Sequence, residues 1–215
     1  MFFAHRFFAA LVVTLAFASP ASALTVTGQN YGADVSAEVD LLWNGSDTLT
    51  ITIENTANAV AVTAAVVTGF AFNLPDEVTG VSGFSASGTL DDSAWAFLLP
   101  PGNAPGGYLF EIGAGTGPNI AGGSPNDGFA IGTTATFTFT FTGTLGGLTA
   151  DDFLGELEDG ASGPSDFGVR FQAIPDGAGS DFADGAGSDF ALVPAPGVAL
   201  LFAASLPAFL ALRRR

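Results

Sequence analysis

Thr133-Thr134-Ala135-Thr136-Phe137-Thr138-Phe139-Thr140-Phe141-Thr142-Gly143-Thr144-Leu145 is the stretch that decides the fold. Ala135, Phe137, Phe139 and Phe141 alternate with Thr136, Thr138, Thr140 and Thr142. A period of two puts the aromatic set on one side of a strand and the hydroxyl set on the other. Burying the three phenylalanines contributes on the order of 1.5–3 kcal/mol each, so the strand belongs at the centre of a core. It is expected to face the strand Leu49–Ile53 across that core. The hydroxyl side reads as solvated strand-former surface, because one strand of threonines is too little for a regular ice- or glycan-binding array.

Working outward, Val35, Ala37, Val39, Leu41 and Trp43 are apolar at every second position, with Ser36, Glu38 and Asp40 between them. Asn44-Gly45 follows as a hairpin signal, and then Leu49, Ile51 and Ile53 alternate with Thr48, Thr50 and Thr52. Trp43 falls on the apolar side, so core is its expected place. Ala59 to Val67 reads as a strand buried on both faces, and Val67 to Leu74 as the next. Further strands are expected near Val78 to Phe84, Ala94 to Leu99, Tyr108 to Ile112 and Phe167 to Ile174. The stretch Gly113 to Gly128 reads as a long loop without an element of its own, a pointer to a binding edge. Thr149-Ala150-Asp151-Asp152 predicts a short helix. Thr149 would cap it, the two acids would sit at its positive end, and Phe153, Leu154 and Leu157 would turn inward. Many short strands, turn residues throughout and one short helix predict an all-β, antiparallel β-sandwich, jelly-roll-like, over residues 24–174.

Composition narrows the chemistry. All 21 acidic residues lie between positions 34 and 189, where Arg170 is the one basic residue, for a net charge of about −20. Such a surface repels nucleic acid and anionic lipid unless divalent cations bridge them. The chain has no cysteine and no lysine, and its one histidine is His5. Past the N-terminal segment there is thus no imidazole and no thiol, which excludes Ser-His-Asp, Cys-His and Ser-Lys catalysis and thiolate metal sites. Carboxylate chemistry and oxygen-ligated hard cations such as calcium remain. The adjacent pairs Asp76-Glu77, Asp91-Asp92 and Asp151-Asp152 do not by themselves make a glycosidase, which needs two carboxylates facing across a cleft. The expected protein is not an enzyme. Trp95, after Asp91-Asp92-Ser93, is expected near a surface loop, where it could stack on a sugar ring.

Both ends carry a different signal. His5 and Arg6 precede an apolar run from Phe7 to Phe17, and Ala21-Ser22-Ala23 is a small-residue triplet. Residues 1–23 thus read as a secretory signal peptide for signal peptidase, recognised at Ala21 and Ala23 and cut after Ala23. At the other end Val193-Pro194-Ala195-Pro196 leads into an uncharged run from Gly197 to Leu212 and then Arg213-Arg214-Arg215. As a helix the run would span about 24 Å, short of the roughly 30 Å of a bilayer core. Snorkelling arginines can make up the shortfall and hold the end cytoplasmic.

A proline motif, an apolar span and a terminal arginine cluster, in that order, resemble the PEP-CTERM sorting signal. Ala195 stands where the motif's central Glu would be, which makes residues 193–215 a variant. The resemblance implies processing near Pro194 and Pro196 by an exosortase-like enzyme at the inner membrane. The alternative is a C-terminal transmembrane anchor that stays uncut. The order of elements in the body also resembles that of uncharacterised exported bacterial β-sandwich proteins. Residues 175–192 read as an acidic, glycine-rich linker. Within it Asp176-Gly177-Ala178-Gly179-Ser180-Asp181-Phe182-Ala183 is followed by an identical octad, Asp184 to Ala191. The simple reading is a flexible tether. The octads also resemble the calcium repeat of RTX proteins, with a period of eight rather than nine, Asp for the first glycine and only two copies. That resemblance implies weak calcium binding through Asp176, Asp181, Asp184 and Asp189. The expected function is a non-catalytic structural or adhesive component of the cell surface or exopolysaccharide matrix. The alternatives are a carbohydrate-binding module and a calcium-dependent adhesin.

Overall fold

The computed structural model describes residues 22–28, 35–60, 64–102, 109–155 and 167–175, and the backbone of 186–193. The fold is all-β. Its strands are β1 Ser22–Gly28, β2 Ser36–Trp43, β3 Thr48–Asn55, β4 Val66–Phe72, β5 Val78–Ser87, β6 Ala96–Leu98, β7 Ile112–Gly115, β8 Phe129–Ala130, β9 Thr134–Gly143, β10 Phe167–Pro175 and β11 Ala186–Val193. Among the described residues three 3-10 turns interrupt them, at Asp92–Ala94, Pro125–Asp127 and Ala150–Leu154. All pairings are antiparallel and run β5-β9-β3-β2-β1-β11-β10-β4-β7-β6, with β8 on β4.

The ladder folds over on itself into two antiparallel sheets in a sandwich-like arrangement. Phe70 and Phe72 of β4 meet β9 from the facing side, with Phe70 to Phe137 at 4.6 Å and Phe72 to Phe139 at 5.5 Å, edge-on. The alternation in β2, β3 and β9 is borne out: Val39, Leu41, Trp43, Leu49, Ile51, Ile53, Phe137 and Phe139 are all buried. Trp43 closes one end of the core, 5.1 Å from Phe153 of the 3-10 turn.

Several expectations are corrected. β9 does not face β3 across the core. It lies beside it, Phe137 against Ile51 and Phe139 against Leu49, and the aromatic partners across the core come from β4. Alternation shows which side of a strand is buried; it does not show what lies opposite. Ala59 to Val67 is not one strand. The Asn58 side-chain oxygen accepts the Val60 N–H at 3.0 Å, turning the chain so that Val60 is almost fully exposed, and β4 begins at Val66. The stretch Gly113–Gly128 is not structureless, since it holds the rest of β7 and the turn at Pro125. The Asn44-Gly45 hairpin is present with a four-residue connection. Gly45 adopts φ +79°, and the Asn44 side-chain oxygen accepts the N–H groups of Ser46, Asp47 and Thr48 at 2.8–3.0 Å.

Residues 186–193 are not a tether. They form β11, which fills the gap between β1 and β10 and pairs with β10 from Phe167↔Val193 to Pro175↔Ala186. β1 starts at Ser22, so the expected cut after Ala23 would remove the pairs Ser22↔Leu41 and Ala23↔Asp40. Among the described residues no helix is long and apolar enough to cross a membrane. The signal peptide up to Ala21, Leu157, and the tail with Pro194, Pro196, Arg213, Arg214 and Arg215 lie outside the described residues.

Candidate functional site

The register of β9 against β3 brings threonines face to face. Thr48 lies opposite Thr140, Thr50 opposite Thr138 and Thr52 opposite Thr136. The rows continue on β5, where Ser85 is opposite Thr138 and Ser87 opposite Thr136, and on β2, where Leu42 is opposite Thr50 and Asp40 opposite Thr52. The outer side of this sheet is thus a grid of hydroxyl and methyl groups, about 4.8 Å apart across the strands and about 6.8 Å along them. The threonine row of β9 does not stand alone, because β3 presents a second and lies beside it.

Among the described residues Thr48 bonds Asp47 at 2.8 Å, while the hydroxyls of Thr50, Thr52, Thr136, Thr138 and Thr140 make no hydrogen bond to the protein. Glycines on β5 keep the grid open. A Cβ at Gly80 would come within 3.2 Å of the Thr142 hydroxyl, and one at Gly83 within 3.3 Å of that of Thr140. Glu38 and Asp40 of β2 stand exposed along one side of it, and Glu54 at the end of its β3 row. Asp47, at its end, is held below the usual carboxyl value by the Asn44 amide first and the Thr48 hydroxyl second.

A concavity of about 520 Å³ opens between the β4–β5 turn and the β6–β7 connection, lined by Leu74, Pro75, Val78, Leu99, Pro100 and Phe110 among others. At its wall the Glu111 carboxylate accepts the Leu74 N–H at 2.7 Å.

The acidic pairs serve local structure. Asp91 accepts the N–H and hydroxyl of Ser93. Asp92 accepts those of Thr89, and the Thr89 hydroxyl is the main reason its carboxyl titrates below the usual value. Asp152 reaches back to the N–H and hydroxyl of Thr149 at 2.6 and 2.8 Å, and Asp151 accepts the Ser22 hydroxyl. Among the described residues no group of three His, Cys, Asp or Glu side chains could hold a metal ion. Asp176, Asp181 and Asp184 lie outside those residues, and Asp189 falls within β11.

Trp95 is a correction. It is 5% exposed, its ring lies 4.7 Å from that of Phe137, and its Nε1 donates to the Asp127 carbonyl at 2.9 Å. A polar tripeptide precedes it, yet the β9 aromatics and the Pro125–Asp127 turn enclose it, so no face is open for a sugar.

Two buried polar residues have partners that the sequence pattern does not reveal. Asn55 donates to the carbonyls of Ala65 and Phe129 and accepts the Ala57 N–H, tying the end of β3 to β4 and β8. Arg170 lies on β10 with its guanidinium donating to the Gly122 carbonyl. With the Gln172 amide turned to present its oxygen, Arg170 also donates to it at 2.7 Å, while the Gln172 nitrogen reaches the Thr68 hydroxyl at 3.1 Å. Burial pulls the guanidinium down to about 10, still charged at neutral pH. Comparison with protein-family models, curated proteins and solved structures finds no match to this chain.

Proposed function

We propose that the protein is an exported, non-catalytic structural or adhesive component of the cell surface or exopolysaccharide matrix, and that the threonine grid of β3 and β9 is the side that meets the matrix. The observation behind this is the grid itself. Five unpartnered threonine hydroxyls in register, extended by serines on β5, offer repeated weak hydrogen bonds to a repetitive hydroxylated polymer, and multivalency turns weak contacts into retention. The surrounding acids keep the domain soluble in salt water. The reading includes a jelly-roll-like sandwich, supported by the crossings from sheet to sheet at β3–β4, β4–β5, β5–β6, β8–β9 and β9–β10. It also includes export by residues 1–23, an inner-membrane stage through residues 193–215, and release by an exosortase-like enzyme. These rest on the sequence of the two ends.

Two measurements test it. The full chain is sedimented with insoluble polysaccharide, alone and as the double variant Thr50→Lys, Thr138→Lys. Retention by the first and at least a tenfold loss in the second is expected. Equal retention removes the grid, and no retention on any polysaccharide removes the matrix. Intact mass of the protein from its native cells is expected to show a start at Leu24 and an end near Val193, Pro194 or Pro196. A chain that still carries Arg213–Arg215 removes the processing step.

A further inference from the structure

β11 occupies a slot set by its neighbours. It pairs with β10 along Phe167↔Val193, Gly168↔Leu192, Val169↔Ala191, Arg170↔Phe190 and Phe171↔Asp189, then, past an irregularity, Ile174↔Gly187 and Pro175↔Ala186. On its other side it meets β1 at Thr27↔Leu192 and Gly28↔Ala191. The sequence that fills six of the eight positions of β11, Ala186-Gly187-Ser188-Asp189-Phe190-Ala191, occurs a second time as Ala178-Gly179-Ser180-Asp181-Phe182-Ala183. A shift of the chain by eight residues would therefore put the same residue at each of those six positions. Eight is even, so every side chain would keep its face, and the usual penalty that fixes register, apolar groups turned out to water, does not arise.

We propose that the two octads compete for the single slot between β1 and β10, giving the chain two registers that differ by eight residues. Opposing terms separate them. In the register described above, residues 176–185 must close the connection from β10 to β11. In the shifted one only Asp176-Gly177 lies between Pro175 and Ala178, and Ile174-Pro175-Asp176-Gly177-Ala178 has the composition of a tight turn. The shorter connection costs less chain entropy and favours the shift. Against it, the last two positions of the slot would exchange Leu192 and Val193 for Asp184 and Gly185, which are poor strand formers. In the shifted register residues 186–193 are set free ahead of Pro194, adding roughly 26 Å of reach at about 3.3 Å per residue. The exchange thus sets how much free chain separates the domain from its tail, whatever that tail does.

The chain has no cysteine, so introduced cysteines report register without competition. The full chain carrying Val169→Cys, Ala183→Cys and Ala191→Cys is equilibrated in a thiol–disulfide buffer and its cross-linked peptides are weighed. The expected result is two products, joining position 169 to 191 and 169 to 183. Adding Asp184→Leu and Gly185→Val, which makes the two octads equivalent through the last positions, is expected to raise the second product at least tenfold relative to the first. Only the 169–191 product in both backgrounds overturns the proposal. Should the cysteine variants not fold, hydrogen exchange on the unaltered chain decides: partial protection of amides 178–183 is expected, and exchange at the free-chain rate there overturns it.

Discussion

Asn55 shows what one amide can hold. Its side chain satisfies two carbonyls and one N–H in a fully buried site. Asn55→Ala leaves all three without a partner, and a buried unsatisfied group costs about 1–3 kcal/mol. Allowing for partial relaxation, the expected loss is about 3 kcal/mol in urea-induced unfolding, and a loss below about 1 kcal/mol would show that water replaces the amide. The alternation of Leu49, Ile51 and Ile53 carries Asn55 onto the buried side, but it does not show what the amide meets there, because its partners lie at Ala65 and Phe129. The tryptophans make the same point from the other side. Trp43 continues a local alternation and is legible as core. Trp95 has no local periodicity, and its burial is decided by Phe137 and by the carbonyl of Asp127. Arg170 is legible as the lone basic residue of the body, but the desolvation that lowers its pKa comes from long-range packing.

At the scale of the element, β2, β3 and β9 could be read residue by residue because period two survives any choice of neighbour. Which strand lies beside which could not, and the candidate site depended on that. Thr136, Thr138 and Thr140 were visible as one row, but only the pairing of β9 with β3 makes them a grid. β11 was hidden for a different reason: Gly, Ser and Asp are depleted in strands, and the sheet imposes the conformation on them. The two sides of β9 are expected to respond oppositely to substitution. Phe139 touches Phe70, Phe72, Phe84 and Phe141, so Phe139→Ala is expected to cost about 3–5 kcal/mol. Thr138→Val, on the outer side, is expected to change stability by less than about 0.5 kcal/mol. Chemical denaturation of both variants checks the pair, and equal costs would contradict the assigned faces.

For the whole molecule, the dominant long-range term is the charge of the body, with one cation, itself buried, among 21 acids. Mutual repulsion over that surface is long-ranged when the screening length is about 30 Å, near 0.01 M salt, and nearly gone at about 3 Å, near 1 M. The melting temperature is therefore expected to rise by several degrees across that range in sodium chloride, measured by calorimetry. A flat or falling curve would mean that local carboxylate bonds, such as those of Asp47 and Asp92, outweigh the repulsion. Charge of this kind could be read directly from composition, since it needs no knowledge of contacts.

The antiparallel meeting of β1 with β11 has a mechanical side. Thr27 lies against Leu192 and Gly28 against Ala191, so the start of β1 and the end of β11 lie toward the same end of the pair. Val193 falls level with Val26, about 14 Å along the strand from Ser22. A pull applied between Ser22 and Val193 therefore acts across the strands at that shared end. It opens the short β1–β11 seam one rung at a time, whereas a pull along opposed strand ends would load many rungs together. Under tension this seam is the place where the domain yields first.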